Sequence, residues 1–194
     1  MLPDSIQVAL AVARIFEEAG IRYLVGGSIA STVQGEPRST QDVDFVIHMV
    51  PAQVEDLNSR LEKSSFLFSP EAVRQSLSHW PYFDLLHKKL FVKADVYVRP
   101  DEGIHREEMN RARNVRIGDA PEEVVRLATA EDTVIQKLLW YRMGEGMSDR
   151  QWRDVQGILK RNEGRLDLAY LEKWTKDLGI SDLFARARTG LGSG

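Results

Sequence analysis

Hydrophobic and polar positions change period several times along the chain, and each change predicts an element. From Ile6 to Ala19 the apolar residues recur at helical spacing, with Ile6, Leu10, Ala13 and Phe16 on one stripe. Pro3 near the start and Gly20 at the end bound this amphipathic helix. Arg22 to Val25 reads as a short apolar strand. Gly26-Gly27-Ser28 predicts a tight turn, and Ile29 to Val33 begins a helix that Gly35 and Pro37 break. Asp42 to His48 then alternates with period two. Val43, Phe45 and Ile47 face one way, while Asp42, Asp44 and Val46 face the other, which is the pattern of a strand.

Further along, Pro51 opens a helix with Val54, Leu57 and Leu61 on its buried stripe. Ser69-Pro70 starts a short helix that ends near Leu77. Tyr82 to Leu86 and Leu90 to Val98 predict adjacent strands joined by a tight turn at His87 to Lys89. On the second of these, Leu90, Val92, Ala94, Val96 and Val98 share one face, and Lys93, Asp95 and Tyr97 share the other. Arg113 to Ile117 and Val124 to Leu127 are further short strands. After Thr129 the pattern turns helical. Thr129 to Asp132 and Ser148 to Gln151 have capping-box character, and their helices run to about Met143 and Leu159. Leu166 to Leu178 and Ser181 to Ala187 complete a helical C-terminal part.

The order predicts an α/β (α+β) fold in which a mixed β-sheet is flanked by helices. The expected domains are an α/β core over residues 1–128, a helical subdomain over 129–189 and a disordered tail over 190–194.

Composition narrows the function classes. The 194 residues are 43% hydrophobic and 28% charged, which suits an ordinary globular protein with a real core. No apolar run approaches the roughly 20 residues that span a bilayer, and no leader pattern opens the chain, so a cytoplasmic protein without a membrane partner is expected. There are no cysteines, which excludes disulfides and thiolate metal sites. A net charge of −3 argues against bulk binding of nucleic acid.

Asp42-Val43-Asp44 is the centre of the candidate chemistry. Residues two apart on a strand project from one face, roughly 7 Å from each other. Two carboxylates so placed can share divalent ions of the kind that phosphoryl-transfer sites hold about 3.5–4 Å apart. Hard oxygen ligands suit Mg²⁺, with Mn²⁺ as its substitute. The plainer reading is two solvated positions on a half-exposed strand. Upstream, however, Gly26-Gly27-Ser28 stands at a strand-to-helix junction, where backbone amides and the helix dipole attract an anion. A plain turn capped by Ser28 is the simpler alternative for that segment. Asp95 interrupts an apolar strand and points away from its buried face, so it would complete a metal cradle if its strand lay beside that of Asp42 and Asp44.

Gly26-Gly27-Ser28, then Arg38-x-Thr40-x-Asp42-x-Asp44, then Lys93-x-Asp95, resembles the nucleotidyltransferase superfamily that includes DNA polymerase beta. The pattern is most similar to the small bacterial branch of AbiEii/AbiGii-type toxins, over roughly Tyr23 to Leu159. The resemblance implies a nucleotidyltransferase-type mixed sheet, and transfer of a nucleoside monophosphate from a nucleoside triphosphate to an acceptor hydroxyl with loss of pyrophosphate. It implies that Ser28, with Gly26 and Gly27, contacts triphosphate oxygens. Asp42 and Asp44 would ligate Mg²⁺, and Asp95 would act as ligand or base. Arg38 and Thr40 match the segment leading into the metal strand.

The family's last motif resembles Glu131-Asp132 with Lys137, followed by Arg153-Asp154. It implies that Lys137 contacts nucleotide phosphate. A surface lysine is the plainer reading of Lys137, capping explains Asp132, and Asp154 could pair with Arg150 or Arg153. The acceptor stays open between RNA, a protein and a small molecule, as does the oligomeric state. The competing class is a non-catalytic nucleotide-binding module, or a toxin–antitoxin-type partner on the same fold. Arg106, Arg111, Arg113 and Arg116 read as a solvated basic face, and the four histidines show no zinc-ligand spacing.

Overall fold

The structure is a computed structural model, and it describes residues 2–36, 42–78 and 80–189. Two compact units emerge. One contains residues 2–29 and 42–128, the other residues 30–36 and 129–189.

The first unit is built on a seven-stranded mixed sheet. Its strands are β1 (Arg22–Val25), β2 (Asp42–His48), β3 (Phe66–Leu67), β4 (Tyr82–His87), β5 (Lys93–Val98), β6 (Arg113–Arg116) and β7 (Val124–Leu127). They lie in the order β3-β4-β5-β2-β1-β7-β6. β2 runs antiparallel to β1 and parallel to β5. The alternation read from the sequence of β2 holds residue by residue: Val43, Phe45 and Ile47 are fully buried, and Asp42 is exposed. Ala94 and Val96 on β5, with Phe83 and Leu85 on β4, continue this buried face.

Helix α1 (Asp4–Glu18) packs on the sheet. Its Phe16 ring meets Phe45 edge-on, with centroids 5.4 Å apart, an arrangement worth about 0.5–1.5 kcal/mol beyond the area it buries. The buried stripe is Val8, Ala9, Val12, Ala13 and Phe16. The predicted stripe was therefore out of phase: Ala13 and Phe16 are buried, but Ile6 and Leu10 are only half-buried. Both registers fit helical spacing, and the sheet selects the one rich in small residues that let the helix approach.

α2 (Gly27–Gln34) follows β1, and α3 (Val54–Glu62) and α4 (Pro70–Gln75) follow β2. A 3-10 turn over Pro51–Gln53 leads into α3, which buries Val54, Leu57 and Leu61 as expected. Two elements depart from the sequence reading. α5 (Gly103–Arg111) was not anticipated, because its sequence is mostly polar and buries only Ile104, Glu108 and Met109. β5 begins at Lys93 rather than Leu90, since the connection from β4 is longer than a tight turn and passes through Phe91 at φ 54°.

The second unit consists of the later part of α2 with α6 (Ala130–Met143), α7 (Asp149–Arg161), α8 (Leu168–Asp177) and α9 (Ser181–Thr189). Arg161 and Asn162 donate to the carbonyls of Gly35 and Gln34 at 2.7 and 2.8 Å, so the C-terminal end of α2 has its carbonyls satisfied and a cation beside its dipole. Among the described residues no helix is long and apolar enough to cross a membrane. The tail over residues 190–194 lies outside the described residues.

Candidate functional site

Strand pairing assembles the candidate site within the first unit. β2 and β5 run parallel with Asp42 opposite Lys93 and Asp44 opposite Asp95. β4 pairs antiparallel with β5, and Asp84 stands opposite Asp95. Residues directly opposite one another share a face, and neighbouring strands are about 4.8 Å apart. Asp44, Asp95 and Asp84 therefore form a row of carboxylates across three strands, on the face away from the Phe45 core. Asp84 was not singled out in the sequence. Its signal was the alternation of Tyr82, Asp84 and Leu86 on a strand adjoining that of Asp95.

The turn after β1 approaches the same row. Gly26 N–H donates to the Asp44 carbonyl at 2.9 Å, and Ser28 N–H donates to Asp44 Oδ2 at 3.4 Å. Gly27 sits at φ +51°, and a Cβ built there would fall 1.8 Å from Asp44 Oδ2. Only glycine suits both demands. The amide end of α2 is thus aimed at the carboxylate row, as the dipole of a helix N-terminus favours. Arg38 and Thr40, which lead into β2, lie outside the described residues.

Asp95 is the most enclosed of the row, 9% exposed. Two donors converge on its Oδ1: the Tyr82 hydroxyl at 2.5 Å and the Lys93 ammonium at 2.8 Å. The bond to Asp95 holds the Lys93 ammonium above its ordinary pKa. Burial, then the bond to Asp95, raises the Tyr82 phenol. Tyr97 is raised too, by burial and then by Asp44 and Asp95. The Tyr82 and Tyr97 rings stand 5.4 Å apart, and the Arg99 guanidinium lies over Tyr97.

Among the described residues, no three carboxylates or imidazoles converge closely enough to enclose an ion. Asp95 is turned toward Tyr82 and Lys93, which accounts for this in part. The donor set still fits Mg²⁺: every candidate ligand is a carboxylate oxygen, and the absent side chain of Gly27 is what lets the Asp44 carboxylate sit against the turn at the start of α2.

Lys137 belongs to the second unit. Its ammonium donates to Asp154 Oδ2 at 2.6 Å, with the two side chains only 7% and 9% exposed. The lysine is therefore inward rather than on the surface, and it pairs with Asp154. Thr129 is the N-cap of α6: its Oγ1 accepts from the Asp132 N–H, and the Asp132 carboxylate in the first turn accepts from the Thr129 and Tyr170 hydroxyls at 2.6 and 2.5 Å. Arg113 and Arg116 are exposed on an edge strand and Arg106 bridges to Asp101, which fits a solvated basic face, whereas Arg111 is half-buried with its Nε enclosed.

No family model and no curated protein matches the chain. Solved structures do. An antigenic nucleotidyltransferase-like protein from Paracoccidioides brasiliensis is 18% identical, with 95% of this chain and 93% of that chain covered and a TM-score of 0.53. ANT(2")-Ia in complex with adenylyl-2"-tobramycin is 12% identical, with 96% and 98% covered and a TM-score of 0.56. The solution structure of the same antibiotic-resistance factor gives a TM-score of 0.53 at 13% identity, covering 96% of each chain. The likeness concerns the fold and does not single out the AbiEii/AbiGii branch. With its mixed sheet, its Gly-Gly-Ser turn and its carboxylate row, this chain has the nucleotidyltransferase fold.

Proposed function

We propose that the protein transfers a nucleoside monophosphate from a nucleoside triphosphate to a hydroxyl of a small acceptor. The observation that carries this reading is the register of Asp44 opposite Asp95, beside a helix N-terminus that only a glycine allows to approach. Asp42, Asp44 and Asp95 would hold Mg²⁺, with Mn²⁺ able to replace it. When bound, the ion neutralises triphosphate charge and makes the acceptor hydroxyl more acidic.

The chain's own residues supply the rest. The Gly26-Gly27-Ser28 turn would place the Ser28 hydroxyl and the positive end of the α2 dipole against triphosphate oxygens. Tyr82 holds Asp95 through Oδ1, so Oδ2 is the oxygen that receives the acceptor's proton. The acceptor oxygen forms a bond to the α-phosphorus as the bond to the pyrophosphate oxygen breaks in line. Positioning and charge neutralisation provide the rate enhancement. Thr40 is a further candidate phosphate contact, with Arg38 beside it in sequence; the Lys137 ammonium is engaged by Asp154 within the second unit.

A small acceptor is favoured over RNA because Asp84 extends the negative row beyond Asp95, which repels a phosphodiester backbone. The adenylyl-tobramycin complex of ANT(2")-Ia gives this reading a precedent on the same fold. Incubation with α-labelled triphosphates, Mg²⁺ and a panel of aminated and hydroxylated small molecules tests it. Label should move to an acceptor with pyrophosphate released, and Asp95→Asn should slow transfer by about 100-fold or more. Transfer at an undiminished rate in Asp95→Asn would remove Asp95 from this role.

A further inference from the structure

We infer that Lys93 is a built-in counter-ion of the carboxylate row, one that a divalent cation must displace to bind fully. This inference rests on the proposed metal site.

Asp95 is nearly buried and lies in register with Asp44. Two carboxylates on adjoining strands in a half-buried setting repel each other. Lys93 brings a cation to the Asp95 end of this pair. It shares the strand and face of Asp95, contacts Oδ1 at 2.8 Å, and stands directly opposite Asp42. Its charge is therefore close to both ends of the proposed ligand set. Its side chain is still 41% exposed, so the ammonium has a route to solvent when another cation arrives. Tyr82, on the neighbouring strand, grips the same Oδ1. It keeps Asp95 in place whether or not the lysine is engaged. This division fits the finding that, among the described residues, no three acids close around a common point.

Charge sets the sign: removing the Lys93 ammonium takes one positive charge away from Asp95, with Asp42 and Asp84 nearby. Lys93→Met removes the competing cation and keeps a stem of similar length. The row should then bind a divalent ion more tightly, and should be less stable without one.

The test measures free Mn²⁺ by electron paramagnetic resonance, with no nucleotide present, in the wild type, Lys93→Met, Lys93→Arg and Asp44→Asn. Metal-free melting temperatures are recorded in parallel. Lys93→Met should bind Mn²⁺ about three- to tenfold more tightly than the wild type, as expected for one charge removed at close range in a partly solvated site. Its metal-free form should melt lower, and Mn²⁺ should restore the difference. Lys93→Arg, which keeps the cation, should resemble the wild type. Equal or weaker Mn²⁺ binding in Lys93→Met overturns the counter-ion role. If the wild type binds Mn²⁺ and Asp44→Asn does not, that failure leaves the metal site standing. If neither the wild type nor Lys93→Met binds Mn²⁺, the proposed metal site falls and the counter-ion role with it.

Discussion

Gly27 is the residue on which most of the site geometry turns. Its left-handed backbone and the 1.8 Å gap between a built Cβ and Asp44 Oδ2 both forbid a side chain. Gly27→Ala should therefore destabilise the chain by at least about 1–3 kcal/mol from the backbone alone, and should push Asp44 aside. Urea unfolding measures the first effect. A wild-type unfolding midpoint in Gly27→Ala would show that the turn is not held as described.

His48, at the far end of the same strand, has its side chain 9% exposed, with Asp101 at 3.4 Å and Arg22 opposite it on β1. Burial lowers its pKa from the ordinary 6.5, opposed by Asp101 and Glu108 and assisted by Arg22 and His105. A depressed histidine resists a proton that the unfolded chain accepts. Stability should thus fall as the pH drops below 6.5, until the native imidazole also protonates. His48→Gln should make this acid loss shallower in urea melts between neutral and mildly acidic pH. An identical pH slope in the variant would show that His48 does not contribute to it.

At the scale of elements, legibility follows how local the information is. β2 could be read from its own alternation, because one face meets Phe16 and the other carries carboxylates. Asp95 was recognisable as an acid in an apolar strand. Its position opposite Asp44 is a property of β2–β5 pairing, which no local pattern encodes. α5 escaped notice because only three of its residues are buried, and one of them is Glu108. In the same way Lys137 and Asp154 were read separately, one on α6 and the other on α7. Their 2.6 Å contact joins the two helices. Removing one member of a buried pair strands the other, at a cost of about 3–5 kcal/mol. Lys137→Met should show a loss of that size in urea unfolding, and adding Asp154→Leu should recover most of it. A double variant no more stable than the single one would mean that the pair is not the source of the loss.

Over the whole molecule the net charge is a modest −3, yet the strand order gathers Asp44, Asp95 and Asp84 on one face of the sheet. Composition reports the sum and the fold determines the distribution, so the gathering of carboxylates on that face was not readable from the total charge. The mixed sheet itself was legible, because strand, Gly-Gly-Ser turn, helix and Asp-x-Asp strand follow in a rare order. Which acids would act on substrate depended on where β4 and β5 fall.

The most direct measurement is a calorimetric titration of ATP, GTP, CTP and UTP into the wild type and Asp44→Asn, with and without Mg²⁺. The account predicts saturable binding of at least one triphosphate to the wild type when Mg²⁺ is present. That binding should disappear on chelation, and also in Asp44→Asn, whose melting temperature should stay within about 4 °C of the wild type, the shift expected from a loss of no more than 1 kcal/mol. Absence of binding by every triphosphate, or undiminished Mg²⁺-dependent binding by a folded Asp44→Asn protein, would contradict it.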